Sequence, residues 1–262
     1  MSPLLTAVEP VAIAFLLSLP RVVALFAMFP FLGRSSLPGI VQIGVVMSLV
    51  LVLQPTVYAT MPAEPLSGLR VLGLILKEGL IGMLIGFTFV VIFHAVQAAG
   101  FFIDNQRGST MASSVDPLLG GQTSPLGMLL TQAFVVYFFV TGGFLTMLGV
   151  LYASYEVMPV ATFVPRLPPD GALFIMQQLD RLVRIAFVLA APVFAAMFLA
   201  EVGVALVSRF APQLNVFFLS MPIKSAVAFL VLILYVRTLI HHLGTGTTPF
   251  GELFRQLEGV MR

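Results

Sequence analysis

Charged residues divide the chain into long uncharged stretches. The three longest, at 35–63, 79–103 and 117–155, contain 29, 25 and 39 residues without a formal charge. About 20 consecutive apolar residues suffice to cross the hydrocarbon core of a bilayer as a helix. Each stretch is longer than that, so the pattern predicts several membrane-spanning helices.

The apolar segments and the Pro/Gly-rich breaks between them predict an all-α, polytopic membrane protein with about six long, partly kinked hydrophobic helices. The predicted helices span 11–32, 39–57, 69–102, 126–155, 172–209 and 215–242. Pro20 and Pro30 are predicted to break the first helix, because an internal proline removes a backbone hydrogen bond. The third helix would be about 50 Å long at 1.5 Å per residue. It must therefore tilt, bend or protrude from a bilayer core that is about 30 Å thick.

The connections between these helices differ in character. The stretch 104–125 is the most polar in the chain and is too long for a tight connection between helices. From its composition, a water-lining segment and an external loop are equally good interpretations. The stretch 157–171 contains four prolines. Near the C-terminus, 249–261 places apolar residues at helical spacing with charges between them, which predicts an amphipathic helix.

Composition restricts the class of protein further. The chain is 59% hydrophobic and 9% charged, whereas an ordinary soluble domain is about 25% charged. A lone soluble globule would have too little charge to cover its surface, and a disordered chain requires low hydrophobicity. The net charge is only +2 and the basic residues are dispersed, so nucleic-acid binding has no support. What remains is a membrane protein or a chain buried in a larger assembly.

The sequence contains no recognisable catalytic or metal-binding constellation. It has no cysteine, which excludes disulfides and thiolate ligands. The adjacent His241 and His242 diverge by about 100° on a helix and cannot readily chelate one metal from one face. A phosphate-binding glycine loop and an HExxH motif are also missing. We therefore expect no enzymatic activity, no metal and no cofactor.

The last two predicted helices carry charges where lipid would penalise them. A charge at the bilayer midplane costs about 2.5–3.5 kcal/mol on insertion scales, so these helices should face protein or water. Asp180 and Arg184 have the i,i+4 spacing that stabilises a helix. Glu201, Arg209 and Lys224 flank the connection between the two helices. We interpret them as charges that hold a helical hairpin or a subunit contact, with an ion pathway as the alternative.

Two features of the third helix have competing interpretations. Gly82 and Gly86 have the small-xxx-small spacing that lets two helix backbones approach closely, although glycine is also simply common in membrane helices. His94 stands alone on an apolar helix, without titratable neighbours within a turn or two. We expect close helix packing at the glycines and a structural role for the histidine.

Two stretches resemble one family closely. The first is GFFIDNQRGSTMASSVDP at 100–117, and the second is Glu201 followed by SRFAPQLNVFFLSMPIK at 208–224. Both are similar to the SctT/FliR family of type III secretion export-apparatus proteins, and the order of segments fits over essentially the whole chain. The Asp104–Arg107 part of the first motif and the Pro-Ile-Lys ending of the second resemble the injectisome branch, whose members are called SctT, YscT, HrcT or SpaR.

The resemblance implies a subunit of the type III secretion export gate in the bacterial inner membrane, packed with other helical chains around a pore for unfolded substrate proteins. It implies SctR and SctS as ring partners, SctU as a neighbouring switch protein, and contact with the lipid bilayer. Residues 1–160 would form an SctR-like part and 172–243 an SctS-like hairpin, followed by the amphipathic tail at 244–262. The loop at about 104–122 would act as a plug.

Two sets of site residues follow from the resemblance and from the charge and glycine patterns. The expected plug or gate residues are Asp104, Asn105, Gln106, Arg107, Gly108, Ser109, Thr110, Met111, Ala112, Ser113, Ser114, Asp116 and Pro117. The expected subunit-contact residues are Gly82, Gly86, Glu201, Arg209, Pro212, Gln213, Asn215, Pro222 and Lys224.

Two other functions remain open at this stage. One is an autonomous secondary transporter or proton channel that would use Glu201, Arg184 and His94 as a relay. The other is a scaffolding subunit that never touches substrate. A transporter should work alone, whereas an export-gate subunit requires its partners.

Overall fold

Over the residues that it describes, the structure consists of helices and short connecting turns and contains no strand. This computed structural model describes residues 3–32, 38–61, 67–109, 124–162, 171–210 and 216–247. The helices are α1 (Pro3–Met28), α2 (Gly39–Ala59), α3 (Gly68–Gln106), α4 (Pro125–Val140), α5 (Gly143–Val157), α6 (Gly171–Phe210) and α7 (Val216–Thr247). The predicted all-α, polytopic class is confirmed. The predicted tail helix at 249–261 lies outside the described residues.

Length and composition make most of these helices candidates for membrane spans. Within the described ranges, α1, α2, α3, α6 and α7 each contain a window apolar enough to cross a bilayer, and α4 with α5 would form a sixth, broken span. Helix α3 has 39 residues, which is about 58 Å at 1.5 Å per residue. It therefore extends well beyond a hydrocarbon core about 30 Å thick.

Two predictions about helix continuity were wrong. The predicted break at Pro20 is absent, because α1 continues through it and ends at Met28, just before the predicted break at Pro30. Helices α2, α6 and α7 also contain an internal proline. Apolar helices tolerate such prolines when local side chains and neighbouring helices satisfy the freed backbone groups. The predicted helix at 126–155 is broken instead, because Gly142 has a left-handed φ of 77°, a conformation that glycine adopts without steric cost.

The described residues divide into two compact units. One contains α1, α2, α3 as far as Val90, and α5. Its core includes residues that are at most 1% exposed, among them Leu17, Leu25, Phe26 and Phe89. The close approach of α1 and α3 at Gly82 and Gly86 belongs to this unit and is described with the site.

The other unit contains α3 from Val91, α4, most of α6, and α7. The ring of Phe93 packs edge-to-face on Phe134 and Phe138, with centroid distances of 4.7 and 5.2 Å. Close by, a Cβ on Gly100 would lie 2.5 Å from the Cα of Gly127. Only glycine therefore permits α3 and α4 to approach each other this closely.

Large apolar side chains also cover the outside of several helices. Only 22% of the apolar window of α2, 28% of that of α6 and 17% of that of α7 is buried. Exposed side chains on these helices include Ile40, Leu51, Phe198, Leu199 and Ile233. Exposed apolar area on this scale is typical of surfaces that meet lipid or other protein.

Candidate functional site: a buried loop junction and two charge clusters

Helix α3 ends in a Schellman motif at the start of the polar stretch 104–125. The Gly108 N–H donates to the Asn105 carbonyl and the Ser109 N–H donates to the Asp104 carbonyl, both at 3.1 Å. Gly108 has a φ of 81°, the left-handed conformation that this helix ending requires and glycine supplies. The chain therefore leaves α3 in a fixed direction at Ser109.

Two side chains, those of Ser124 and Asp104, accept hydrogen bonds from the first turn of α4. The Ser124 hydroxyl accepts a hydrogen bond of 2.9 Å from the Gly127 N–H, as expected of a serine at the N-cap position. Pro125 follows at the first helical position, where its missing N–H costs no hydrogen bond. The Leu126 N–H donates instead to Asp104 Oδ2, at 3.0 Å. Part of the cap of α4 is thus supplied by a residue of α3.

The Asp104 carboxylate joins the two helix ends. Its Oδ2 also accepts a bond of 2.6 Å from the Ser124 hydroxyl. Its Oδ1 is paired with the Arg107 guanidinium, at 2.7 Å from Nε and 2.6 Å from the terminal nitrogen. The side chain of Asp104 is fully buried and that of Arg107 is 12% exposed. Because both oxygens are bonded, a buried charge that would otherwise be costly is compensated.

The end of α3 also rests on α7. The Arg107 guanidinium lies 5.1 Å from the centre of the Phe229 ring, within the range of a cation–π contact. A Cβ on Gly108 would lie 3.2 Å from the Met221 Cε. We call Asp104, Arg107, Gly108, Ser109 and Ser124 the loop junction. Its contacts connect the end of α3 to the start of α4 and to α7.

The described part of the expected plug set is therefore less open than the sequence suggested. Asn105 is exposed, Gln106 and Ser109 are partly buried, and Asp104 is buried. The Ser109 hydroxyl donates to the Asp104 carbonyl at 3.1 Å. The other members, Thr110, Met111, Ala112, Ser113, Ser114, Asp116 and Pro117, lie outside the described residues.

Part of the expected subunit-contact set forms a charge pair within the second unit. Lys224 Nζ lies 3.4 Å from Glu201 Oε1, and these side chains are 11% and 44% exposed. The structure thus brings α6 and α7 together at this pair, as the sequence interpretation expected of a hairpin. Arg209 is exposed in the last turn of α6, and Pro222 is exposed within α7. Pro212, Gln213 and Asn215 lie outside the described residues.

Gly82 and Gly86 occupy a different place from the one expected. Both are buried, and a Cβ on Gly82 would collide with the backbone carbonyl of Arg21 on α1. A Cβ on Gly86 would lie 3.0 Å from the Met28 Cβ. The close helix packing is real, but its partner is α1 of the same chain. This packing leaves the two glycines no surface of their own for a neighbouring subunit.

Sequence reasoning missed a buried charge cluster in the first unit, formed by Arg21, Lys77 and Glu78. Glu78 Oε2 lies 2.7 Å from Arg21 Nε, and Glu78 Oε1 lies 2.8 Å from Lys77 Nζ. The side chains of Arg21 and Glu78 are completely buried, and that of Lys77 is 5% exposed. The available signal was a set of isolated charges inside apolar helices, which by default mark a functional or paired site.

The charge cluster holds further segments of the first unit. Arg21 donates to the Ser154 hydroxyl at 2.9 Å and to the Met158 carbonyl at 3.0 Å, and its guanidinium lies 4.0 Å from the Tyr155 ring centre. Lys77 donates to three backbone carbonyls that follow α5, those of Pro159, Val160 and Thr162, at 2.9–3.1 Å. The cluster therefore joins α1, α3, α5 and the segment 158–162.

The residues of the relay that the alternative transporter function would use are not joined to one another. His94 is exposed and its Nδ1 lies 3.5 Å from Gln97 Oε1. Arg184 pairs with Asp180 at 3.2 Å in a largely exposed contact, and Glu201 pairs with Lys224. Within the described ranges, no hydrogen bond or ion pair connects His94, Arg184 and Glu201, and no group of three acidic or histidine side chains could hold a metal.

These features define a polytopic α-helical membrane protein with buried charge clusters. The profile of the family described as "Bacterial export proteins, family 1" matches residues 12–248. The chain is 46% identical to Yop proteins translocation protein T of Yersinia pestis, over 88% of each chain. It is 34% identical to surface presentation of antigens protein SpaR of Salmonella typhimurium, over 84% of this chain and 81% of the relative. With flagellar biosynthetic protein FliR of Bacillus subtilis the identity is 31%, over 84% and 85%.

The chain belongs to this family of bacterial export proteins, the SctT/FliR family, and to its injectisome branch. Its role is in a secretion export apparatus, within which it is a multi-pass membrane component. The family consists of structural proteins of the apparatus. The resemblance seen in the two motifs of the sequence is thereby confirmed.

Proposed function

We propose that the chain is a subunit of the export gate that helps to form and close the inner-membrane pore through which unfolded proteins leave the cell. The observation that carries this proposal is the loop junction. A polar stretch between two apolar helices has both of its ends fixed by one buried carboxylate, which suits a segment that must hold a defined position. The relatives named for Yop protein translocation, surface presentation of antigens and flagellar biosynthesis support a place in a protein-export apparatus.

The partners follow from the same proposal. The exposed apolar faces of α2, α6 and α7 would contact SctR and SctS chains and, in part, lipid. The 1–160 part would take the place of an SctR subunit and the 172–243 part that of an SctS subunit. The hairpin with Glu201, Arg209 and Lys224 would face SctS and SctU.

The first experiment tests the plug. A deletion of 110–114 leaves Ser109 and its bonds to Asp104 in place, so both helix ends keep their caps. We expect normal assembly of the export apparatus and a raised ion leak through inner-membrane vesicles that contain it. Asp180→Asn, which changes an exposed side chain on α6, is the control variant, and its vesicles give the baseline ion leak. Unchanged conductance in a deletion that assembles normally would exclude the plug role.

The second experiment tests the hairpin. Arg209→Glu changes an exposed charge, and Lys224→Glu breaks the pair with Glu201. Both should reduce co-purification of SctS or SctU with the solubilised chain. The double exchange of Lys224→Glu with Glu201→Lys restores the pair within the chain and separates internal stability from partner contact. Full recovery of partners at wild-type levels by Arg209→Glu would rule out its proposed contact.

A further inference from the structure

We propose that Asp104 is the positioning residue of the pore loop: it sets the directions in which the chain leaves α3 and enters α4, and does not itself line the pore. This inference rests on the proposed function of the loop, and it reverses the place that the sequence suggested for Asp104. Its carboxylate is fully buried, so it cannot contact a passing chain.

The first argument is the number of separate elements that meet at this one side chain. Oδ1 holds Arg107, one turn further along α3, and Oδ2 holds the Ser124 hydroxyl and the Leu126 N–H. The backbone carbonyl of the same residue accepts the Ser109 N–H, the last bond of the Schellman motif. Asp104 is thus bonded to Ser109, before the loop, and to Ser124, after it.

The second argument concerns charge. Hydrogen bonds to an ionised carboxylate are shorter and roughly twice as strong as neutral ones, and the bonds to Arg107 and Ser124 are 2.6–2.7 Å long. An amide of the same shape would keep an acceptor but lose the ion pair. It would also leave the Arg107 guanidinium, whose side chain is only 12% exposed, without its anionic partner.

The third argument is that the surroundings are rigid. The backbones of α3 and α4 approach closely at Gly100 and Gly127, where an added Cβ would find no room. Removal of the carboxylate would therefore loosen the last turn of α3 and the first turn of α4, and with them the two ends of the loop, while the rest of both helices stays packed. A residue acting in this way affects the pore only through the loop.

The decisive test is epistasis in the assembled apparatus. Asp104→Ala and Asp104→Asn are each made alone and in combination with the deletion of 110–114, and ion leak is measured in inner-membrane vesicles. We expect each single variant to raise the leak towards the level of the deletion, with Asp104→Ala the larger. In combination with the deletion, neither should add to it. Asp180→Asn removes a carboxylate from an exposed Asp–Arg pair and serves as the matched control.

An exchange variant separates positioning from folding. In Asp104→Ser with Ser124→Asp, the carboxylate moves to the N-cap position, where aspartate is as good as serine, and a hydroxyl remains at the end of α3. We expect the exchange to lower the leak relative to Asp104→Ala at equal amounts of assembled apparatus. If Asp104→Ala does not assemble, Asp104→Asn and the exchange variant decide the question.

A second readout does not depend on secretion. The chain has no cysteine, so a pair of cysteines introduced together at the exposed positions Asn105 and Met128 can carry two nitroxide labels. The distance between these labels is then measured. We expect a narrow distance distribution in the parent chain, a broader one in Asp104→Ala, and a narrow one again in the exchange variant. An unchanged distribution in Asp104→Ala would overturn the inference.

The outcomes distinguish the inference from the function on which it rests. If the loop deletion does not leak, the plug function is wrong. If the deletion leaks but the Asp104 variants do not, the plug stands and the positioning role of Asp104 is wrong. If the Asp104 variants leak further on top of the deletion, Asp104 acts on the pore by another route, and the inference is again overturned.

Discussion

Among the residues whose burial the structure describes, Glu78 and Asp104 are the two fully buried carboxylates, and each belongs to a different unit. Glu78 lies in the middle of a helix between two cations, and its cluster joins three helices and the segment 158–162. Asp104 lies at a helix end with one cation, and two of its other three partners belong to the start of the next helix. The comparison teaches that the same buried group serves packing in one unit and chain direction in the other.

The largest effect is expected from Glu78→Ala. Removing one partner of a buried pair leaves the other charge uncompensated and costs about 3–5 kcal/mol. Arg21 and Lys77 would then face each other without an anion between them. We expect loss of the chain from the membrane fraction, or a strongly lowered midpoint of unfolding in detergent. A midpoint close to that of the parent chain would show that the cluster is not needed for stability.

The next largest effect is expected from the close packing of α1 on α3 at Gly82, one turn from Glu78. Gly82→Ala forces a Cβ against the Arg21 carbonyl, and overpacking of this kind costs about 1–3 kcal/mol. Gly79→Ala is the matched control, because a Cβ there meets nothing within 4 Å. Unfolding in detergent should separate the two variants clearly. Equal midpoints for both would contradict the close approach of α1 and α3.

A smaller effect is expected on the Asp104 side. Gly108→Ala places a Cβ in the left-handed conformation, at a cost of about 1–2 kcal/mol, and towards Met221. We expect a modest loss of stability together with a broader distance distribution at the loop junction. Gly149→Ala, on the open side of α5, is the control. No change in the distance distribution would weaken the link between the Schellman motif and loop direction.

The smallest effect is expected at the exposed Asp–Arg pair. Asp180→Asn removes a pair whose side chains are 69% and 75% exposed, and such i,i+4 pairs contribute only about 0.3–0.5 kcal/mol. Raising the salt concentration should remove even this difference in the unfolding midpoint. A loss comparable to that of Glu78→Ala would mean that another chain buries this pair in the assembly.

Local pattern was sufficient to predict much of this molecule. Apolar length predicted the helices, i,i+4 spacing predicted the Asp180–Arg184 pair, and small-residue spacing predicted the close approach at Gly82. The two members of the Asp180–Arg184 pair are neighbours along one helix. The glycine spacing predicts only that some helix packs closely, whichever helix that is. The identity of the helix packed on Gly82 was not accessible in this way.

The buried clusters could not be predicted, because their partners are far apart in the chain. Arg21 and Glu78 are separated by 57 residues, and Arg21 and Ser154 by 133. An isolated charge in an apolar helix predicts that a partner exists but does not identify which residue it is. Asp104 was misplaced for a related reason: a polar residue beside a polar loop was assumed to share the environment of the loop, whereas its partners at Ser124 and Leu126 place it in the interior.

The loop junction has a consequence for how the chain can vary and be engineered. Both helix ends are fixed by residues outside 110–123, so we expect the fold to tolerate changes in the length and sequence of the segment between them. Lengthening a loop between fixed ends costs only about 0.6 kcal/mol per doubling. An epitope or a fluorogenic tag inserted there should therefore leave the rest of the fold intact. Segments of other size or polarity should likewise be accommodated between the same ends of α3 and α4.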